Sequence, residues 1–221
     1  MVTASDHAGA ARDERRGRGG RSAEAARNDE RILDAARAVF VSDPGAPISA
    51  VAAQAGVGVG ALYRRYPSKE ELLRRLAADG LHRFIGAVEA ALADTGDAWE
   101  AFAGFMRACV EAETNSLTQR LAGTFTPTEA LYRDAGRAQG LLTALVERTK
   151  AAGALRADLE VTDVSLVLEQ VAAVRIGDRR RTSELRHRYL ALALGALRAP
   201  AAQPLPGSAP DWEELSARWN P

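Results

Sequence analysis

The spacing of apolar residues along this chain predicts helices almost throughout. Between 47 and 55, apolar side chains recur at intervals of three and four residues, the pattern of one buried helical face. Those side chains are Ile48, Val51, Ala52 and Ala55. Gly56 follows, and a glycine ends a helix cheaply in the left-handed conformation. A second short helix is predicted from about 59 to 66, with Leu62 and Tyr66 turned inward.

A helix of the same kind is predicted ahead of this pair. Asn28 or Asp29 is expected to cap it, because short polar side chains accept hydrogen bonds from the free N–H groups of a first turn. The apolar side chains at helical spacing after this cap are Ile32, Leu33, Ala36, Val39 and Phe40. A turn at Asp43-Pro44-Gly45 ends the helix.

Longer helices are predicted after Pro67. Ser68 and Glu71 have the spacing of a capping box, which opens a helix from Lys69 to about Leu92 with Gly80 as a candidate bend. The further helical stretches are Trp99–Val110, a short piece at Leu117–Leu121, Thr126 to about Gly153 with Pro127 at the first helical position, Val161–Ile176 with Thr162 as cap, and Ser183 to about Arg198.

The two short helices and their glycine turn are typical of a helix-turn-helix, which lays its second helix in the major groove of DNA. In that helix Val59, Gly60 and Ala61 offer a base only apolar contact or close backbone approach. Hydrogen-bonded readout therefore falls to Arg64 and, second, to Arg65, whose guanidinium groups match guanine or phosphate. The alternative for both arginines is a solvated helix end.

The stretch from about Asn28 to Leu76 resembles the DNA-binding domain of TetR-family transcriptional regulators. The residues that carry the resemblance are Ile32-Leu33-Asp34-Ala35-Ala36 with Phe40, Val51-Ala52 with Ala55-Gly56-Val57, Gly60, Leu62-Tyr63, Tyr66 and Ser68-Lys69-Glu70-Glu71-Leu72. The resemblance implies an all-α homodimer that binds a DNA operator, usually a repressor released by a small molecule. The remaining two thirds of the chain resembles the family by its helical architecture.

Further DNA contacts follow from this resemblance. Tyr63 is expected to donate to a DNA phosphate, with packing of its ring as the alternative. Lys69 is expected to do the same, helped by the free N–H groups of the helix that it opens. Gly58 stands where the family usually has Ser or Thr, so its backbone remains but a side-chain contact is lost. Ile48 and Ser49 complete the candidate set.

Composition limits how DNA is bound and where. The 29 basic and 29 acidic residues cancel, so any DNA contact must be local. One cysteine among 221 residues indicates a reducing compartment. No apolar run approaches the roughly 20 residues of a membrane span, and no signal-peptide pattern is seen. The expected location is the cytoplasm.

The patterns divide the chain into four parts. Residues 1–25 are expected to be a disordered basic leader, either an arm along DNA or a solvated segment. Residues 26–84 form the DNA-binding domain, and 85–198 a helical domain for ligand binding and dimerisation. Residues 199–221 combine a proline-rich linker with a short helix whose Trp212, Leu215 and Trp219 are expected to dock on its own or a partner subunit.

An aromatic stripe in the larger domain is the candidate ligand pocket, with a plain hydrophobic core as the alternative. The proposed ligand is a mostly apolar or aromatic small molecule, and polar groups, among them Thr114, would orient it. The candidate lining is Trp99, Phe102, Phe105, Met106, Cys109, Tyr132, Leu145, Gln170, Val174 and Arg175. The helix from Lys69 to Leu92 is the expected mechanical link from this domain to the DNA reader.

Dimerisation is expected through the helices Val161–Ile176 and Ser183–Arg198. The second is apolar nearly all round near its end, and a helix that is apolar on every side must be buried on every side. The apolar residues concerned are Tyr189, Leu190, Leu192, Leu194 and Leu197. Pairing about a two-fold axis predicts a near-palindromic operator.

Other chemistry has little support in the sequence. His7, His82 and His187 lack the ligand spacing of a metal site, so neither a metal nor another cofactor is expected. Cys109 lies on an apolar stripe and is expected in the core. An enzyme with an incidental helix-turn-helix would need a catalytic constellation, and none is seen. A DNA-binding dimer that is independent of ligand, or regulated by a partner, stays open as the second alternative.

Overall fold

A computed structural model describes residue 24 and the ranges 27–113, 124–200 and 203–217. It divides the chain into two compact units, Met1–Pro67 and Ser68–Pro221. Within the described ranges the elements are helices, with an isolated antiparallel bridge between Leu155 and Arg198, and the predicted all-α class is confirmed. None of the helices in these ranges combines the length and the apolar character needed to cross a membrane.

Some predictions fall on residues that the structure does not describe. These are the leader except for residue 24, the short helix at Leu117–Leu121, the polar group Thr114 and the side chain of Trp219.

The described part of the first unit contains α1 over 27–42, α2 over Ile48–Ala55 and α3 over Val59–Arg65. The apolar faces predicted for these helices are buried, apart from the half-buried Val39. Gly56 ends α2 with a φ of 66°, as its place in the sequence predicted.

The N-terminal cap predicted for α1 is wrong. Asn28 and Asp29 both lie inside the helix, which has already begun at 27. The Asp29 carboxylate accepts hydrogen bonds from Arg65 and Tyr66 instead. A contact 36 or 37 residues away leaves no mark on the local pattern from which a cap is predicted.

The second unit contains six helices within its described residues. They are α4 over Lys69–Ala93, α5 over Ala98–Glu111, α6 over Glu129–Ala151, α7 over Val161–Ala173, α8 over Arg179–Leu197 and α9 over Trp212–Ala217. α4 is continuous through the buried Gly80 and through the domain boundary expected at 84. α5 lies at the centre, in contact with α4, α6, α7 and α8.

Side-chain caps explain where these helices begin. The Ser68 hydroxyl accepts from the Glu71 amide at 3.1 Å, which confirms the predicted cap of α4. Thr128 caps α6 by accepting from Leu131, so Pro127 precedes the helix and is not its first residue.

The cap predicted for α7 and the start predicted for α8 need correction. α7 itself begins at Val161 as predicted and ends at Ala173, three residues before Ile176. Glu160 is the N-cap of α7, and its amide donates to Asp163 at 2.8 Å, so Thr162 lies within the helix. Asp178 accepts from the Arg181 amide at 2.8 Å and starts α8 at Arg179, four residues before Ser183. In both cases an acidic cap lies upstream of the predicted hydroxyl residue.

A polar anchor holds the C-terminal segment on the second unit. The buried Arg156 guanidinium pairs with Asp158 at 2.7 Å and donates to the carbonyl of Gln203 at 2.7 Å. Asp158 also accepts from the Leu205 amide, and these contacts hold the pKa of its carboxyl well below the ordinary value, with Arg156 as the main cause. In α9, Leu215 is buried and Trp212 is exposed, so the described part of the tail docks through its leucine.

Candidate nucleic-acid interface

α3 buries one face and presents the others to solvent. Leu62 is fully buried, and the Tyr66 ring that follows the helix is buried as well, as predicted. Tyr63 lies on the outward side with 47% of its surface exposed. The other outward residues at this helix are Gly58, Val59, Gly60, Ala61, Arg64 and Arg65. Seven of the ten candidate DNA contacts therefore share one short surface helix and its N-cap.

The space in which a side chain at Gly60 would lie is empty of protein atoms. A Cβ atom built there meets nothing within 4 Å, and the same is true at Gly58. The packing of the protein therefore does not require a glycine at either position. The glycine at 60 leaves room for a molecule outside the chain to approach the helix backbone closely.

The two arginines at the end of α3 differ. Arg64 is exposed and has no ion pair among the residues that the structure describes. Arg65 is bound to Asp29 of α1 through two hydrogen bonds, 2.7 Å from Nε and 2.5 Å from Nη2. This contact raises the pKa of Arg65 further above its already high value. Arg65, the second arginine predicted to read DNA, is therefore already paired within the first unit.

The other three candidates lie outside α3. Ile48 is only 5% exposed, because it belongs to the apolar face of α2 that packs into the core. Its buried side chain is therefore not available for a DNA contact. Ser49 is exposed next to it. Lys69 is half-buried at the first position of α4, where the helix leaves N–H groups unpaired.

The aromatic stripe of α5 is packed as a core. Phe102 lies 6.0 Å from Trp99 and 6.5 Å from Phe105, measured between ring centroids. Phe84 of α4 meets Phe105 edge to face at 5.3 Å, a contact that sequence reasoning did not foresee. The candidate pocket residues Trp99, Phe102, Phe105, Met106, Cys109 and Leu145 are all buried in this cluster.

Four further pocket candidates lie elsewhere. Tyr132 is 52% exposed and Gln170 is also exposed, so neither lines the interior as expected. Val174 and Arg175 are half-buried, at the C-terminal end of α7. Helical spacing assigned a face to each of these residues, but it could not tell which faces a neighbouring helix covers.

Two arginines that sequence reasoning missed provide polar groups inside the second unit. Arg186 donates to the carbonyls of Ala172 at 2.9 Å and Val174 at 3.2 Å, which closes the C-terminal end of α7. Arg148 donates to the carbonyls of Ala91 and Leu92 at the end of α4. Neither helix is followed by a glycine cap, and that is the signal that could have suggested a side-chain donor.

α8 carries apolar residues on opposite sides. Leu190, Leu194 and Leu197 are buried within the unit. Leu192 is 62% exposed, and Tyr189 three residues earlier is exposed next to it. The helix thus has an apolar face that the described residues of its own unit do not cover.

Comparisons with known proteins agree with this architecture. Residues 32–76 match the family model of bacterial regulatory proteins of the tetR family. Residues 94–199 match the C-terminal domain of SbtR-like transcriptional regulators. A comparison with curated proteins found no match.

Three solved structures illustrate the similarity. A TetR transcriptional regulator from Streptomyces coelicolor is 28% identical, with a TM-score of 0.56 over 78% of this chain and 99% of that one. A TetR regulator from Mycobacterium vanbaalenii is also 28% identical, with a TM-score of 0.56 over 80% of this chain and 99% of that one. The TetR-like regulator LfrR from Mycobacterium smegmatis, in complex with proflavine, shares the fold at 22% identity and a TM-score of 0.55, over 75% and 95% of the two chains.

The two family models cover successive parts of the chain, and both describe regulators of the same family. TetR regulators bind DNA and are not enzymes. The chain belongs to the TetR family of DNA-binding transcriptional regulators.

Proposed function

We propose that this protein is a homodimeric repressor that binds a near-palindromic operator in the cytoplasm and is released from it by a small apolar or aromatic molecule. The observation that carries the proposal is the outward side of α3, where small residues are followed by Tyr63 and Arg64. This side fits the major groove because small residues let the helix backbone approach the base edges.

The chemistry of each outward side chain decides whether it would contact a base or a phosphate. Val59 and Ala61 offer apolar surface to a thymine methyl group, and Arg64 offers two N–H donors to the O6 and N7 atoms of guanine. Tyr63 and Ser49 each offer one hydroxyl donor and Lys69 offers a compact ammonium group, all of which suit phosphate oxygens and so position the helix without reading sequence. The open space around Gly60 supports close approach of the DNA at that residue.

The dimer is supported by the exposed apolar surface of α8. Leu192 and Tyr189 lie one helical turn apart, and a second copy of the same face would bury both. A two-fold axis through such a contact would relate the α3 helix of one subunit to that of its partner, so the operator would consist of two inverted half-sites.

Release by a ligand rests on the aromatic cluster around Phe105. Such a cluster favours apolar or aromatic molecules, and a ligand releases DNA only if it prefers a conformation that binds the operator poorly. The tight ring packing of the same cluster favours a second candidate, a DNA-binding dimer that needs no ligand or is controlled by a protein partner.

Selection of DNA from a pool of random duplexes tests the first part. The wild-type protein should enrich inverted repeats, and enrichment of no duplex would contradict the proposal.

A thermal-shift screen with apolar and aromatic compounds tests the second part, which is release by a ligand. Phe105→Trp is the variant that should lose the ligand-induced shift but keep operator affinity. If no compound stabilises the wild type, the ligand-independent candidate replaces the first; if Phe105→Trp fails to fold, the cluster is core and any pocket lies elsewhere.

A further inference from the structure

The ion pair between Asp29 and Arg65 joins α1 to the end of α3 within the first unit. Both carboxylate oxygens accept from the guanidinium, Oδ1 from Nε and Oδ2 from Nη2. Two parallel hydrogen bonds fix the plane of a guanidinium as well as its position. Arg65 therefore has a defined orientation that points back to α1.

The acceptor in this pair is itself held in place. The Asp29 side chain is 13% exposed, whereas that of Arg65 is 60% exposed. The Tyr66 hydroxyl donates to Asp29 Oδ1 at 2.9 Å, and the Arg65 guanidinium lies 5.7 Å from the centre of the Tyr66 ring. Because Tyr66 is buried, its hydroxyl anchors the carboxylate at the edge of the core.

We propose that Asp29 is a specificity-determining residue that withholds Arg65 from DNA and leaves Arg64 as the reading arginine of α3. The inference rests on the proposed contact of α3 with DNA. If Arg65 turned to a phosphate or a base, it would give up both of these hydrogen bonds, and the Asp29 carboxylate would lose its guanidinium partner. Arg64 has no such competing carboxylate among the described residues, so it can bind DNA without first breaking an ion pair.

The first test replaces Arg65 alone. If Arg65 is withheld, Arg65→Gln leaves the selected operator motif and the salt dependence of binding as they are in the wild type. An arginine that contacts a phosphate contributes about one unit to the slope of log K against log salt concentration. A slope that falls by about one unit in Arg65→Gln, or a motif that loses one base preference, would overturn the proposal.

The second test frees Arg65. Asp29→Asn keeps the size of the side chain and an acceptor for Tyr66, but it removes the charge. The freed arginine should then raise the salt slope by about one unit, and the same change in an Arg65→Gln background should not. Glu30→Gln is the matched control, since it removes one negative charge at the next, exposed position of α1 and should leave the slope unchanged.

The outcomes separate the possible explanations. If Asp29→Asn raises the slope equally with and without Arg65, the effect is that of charge alone and the proposal is wrong. If Asp29→Asn leaves the slope and the motif unchanged, Asp29 only stabilises the fold and the proposal is wrong as well. If the wild type selects no duplex at all, the proposed function fails instead, and this result is seen before any variant is made.

Discussion

Arg186 of α8 lies inside the second unit and donates to the Glu113 carboxylate at 2.9 Å. Glu113 follows the end of α5 and has a positive φ of 52°, which is uncommon for a residue with a side chain. Together with the two carbonyls of α7 that Arg186 also binds, the contact joins the ends of α5 and α7 to the middle of α8 through one guanidinium. Removal of this side chain therefore tests how far a single polar group holds the unit together.

We expect Arg186→Met to lower the free energy of unfolding by about 3 kcal/mol, because it leaves buried carbonyl groups and a carboxylate without their donor. The matched control is Arg180→Met in the same helix, where the exposed guanidinium pairs with Glu184 and contributes less than about 1 kcal/mol. Urea unfolding followed by circular dichroism measures both. Equal midpoints for the two variants would show that the buried contacts of Arg186 add nothing.

Gly60→Ala should separate folding from DNA binding. Alanine is favoured over glycine in a helix by about 1 kcal/mol, and the added methyl group meets no protein atom within 4 Å, so thermal stability should stay equal or rise. Operator affinity should fall, because the methyl group stands between the helix backbone and the bases. Fluorescence anisotropy with labelled operator measures the affinity. Unchanged binding by this variant would mean that the DNA does not approach α3 at Gly60.

Leu192→Arg should convert the proposed dimer into a monomer, since it places a charge in the middle of the proposed apolar contact. The control is Arg188→Ala, a change at an exposed charged position of the same helix. Sedimentation velocity reports the oligomeric state, and binding to the full operator should weaken together with dimerisation. A variant that stays dimeric would place the interface on another surface.

Local patterns predicted most of the fold. Helical spacing with Gly56 located α2 and the turn, and Ser68 located the start of α4, because each of these signals depends on residues within one or two turns. The predicted cap of α7 and the predicted start of α8 were wrong because a nearby acidic cap took the place of the expected residue. The spacing of apolar residues does not determine which of two neighbouring polar residues caps a helix.

The candidate site was predictable only in part. The outward position of Arg64 follows from the spacing of Leu62 and Tyr66 within the motif. The pairing of Arg65 with Asp29 does not, because two polar residues 36 positions apart produce no periodic signal. In the same way, the stripe from Trp99 to Cys109 predicted a buried face, but spacing alone could not tell a filled core from a ligand cavity.

The central claim is that α3 reads DNA through Arg64, and selection from a random duplex pool tests it most directly. Arg64→Ala should cost about 1–3 kcal/mol of binding free energy and relax the preference at one base position in each half-site. Lys69→Ala is the control, because loss of a phosphate contact should weaken all sequences alike and lower the salt slope by about one unit. If Arg64→Ala selects the same motif as the wild type with the same information at every position, Arg64 does not read a base and the account is contradicted.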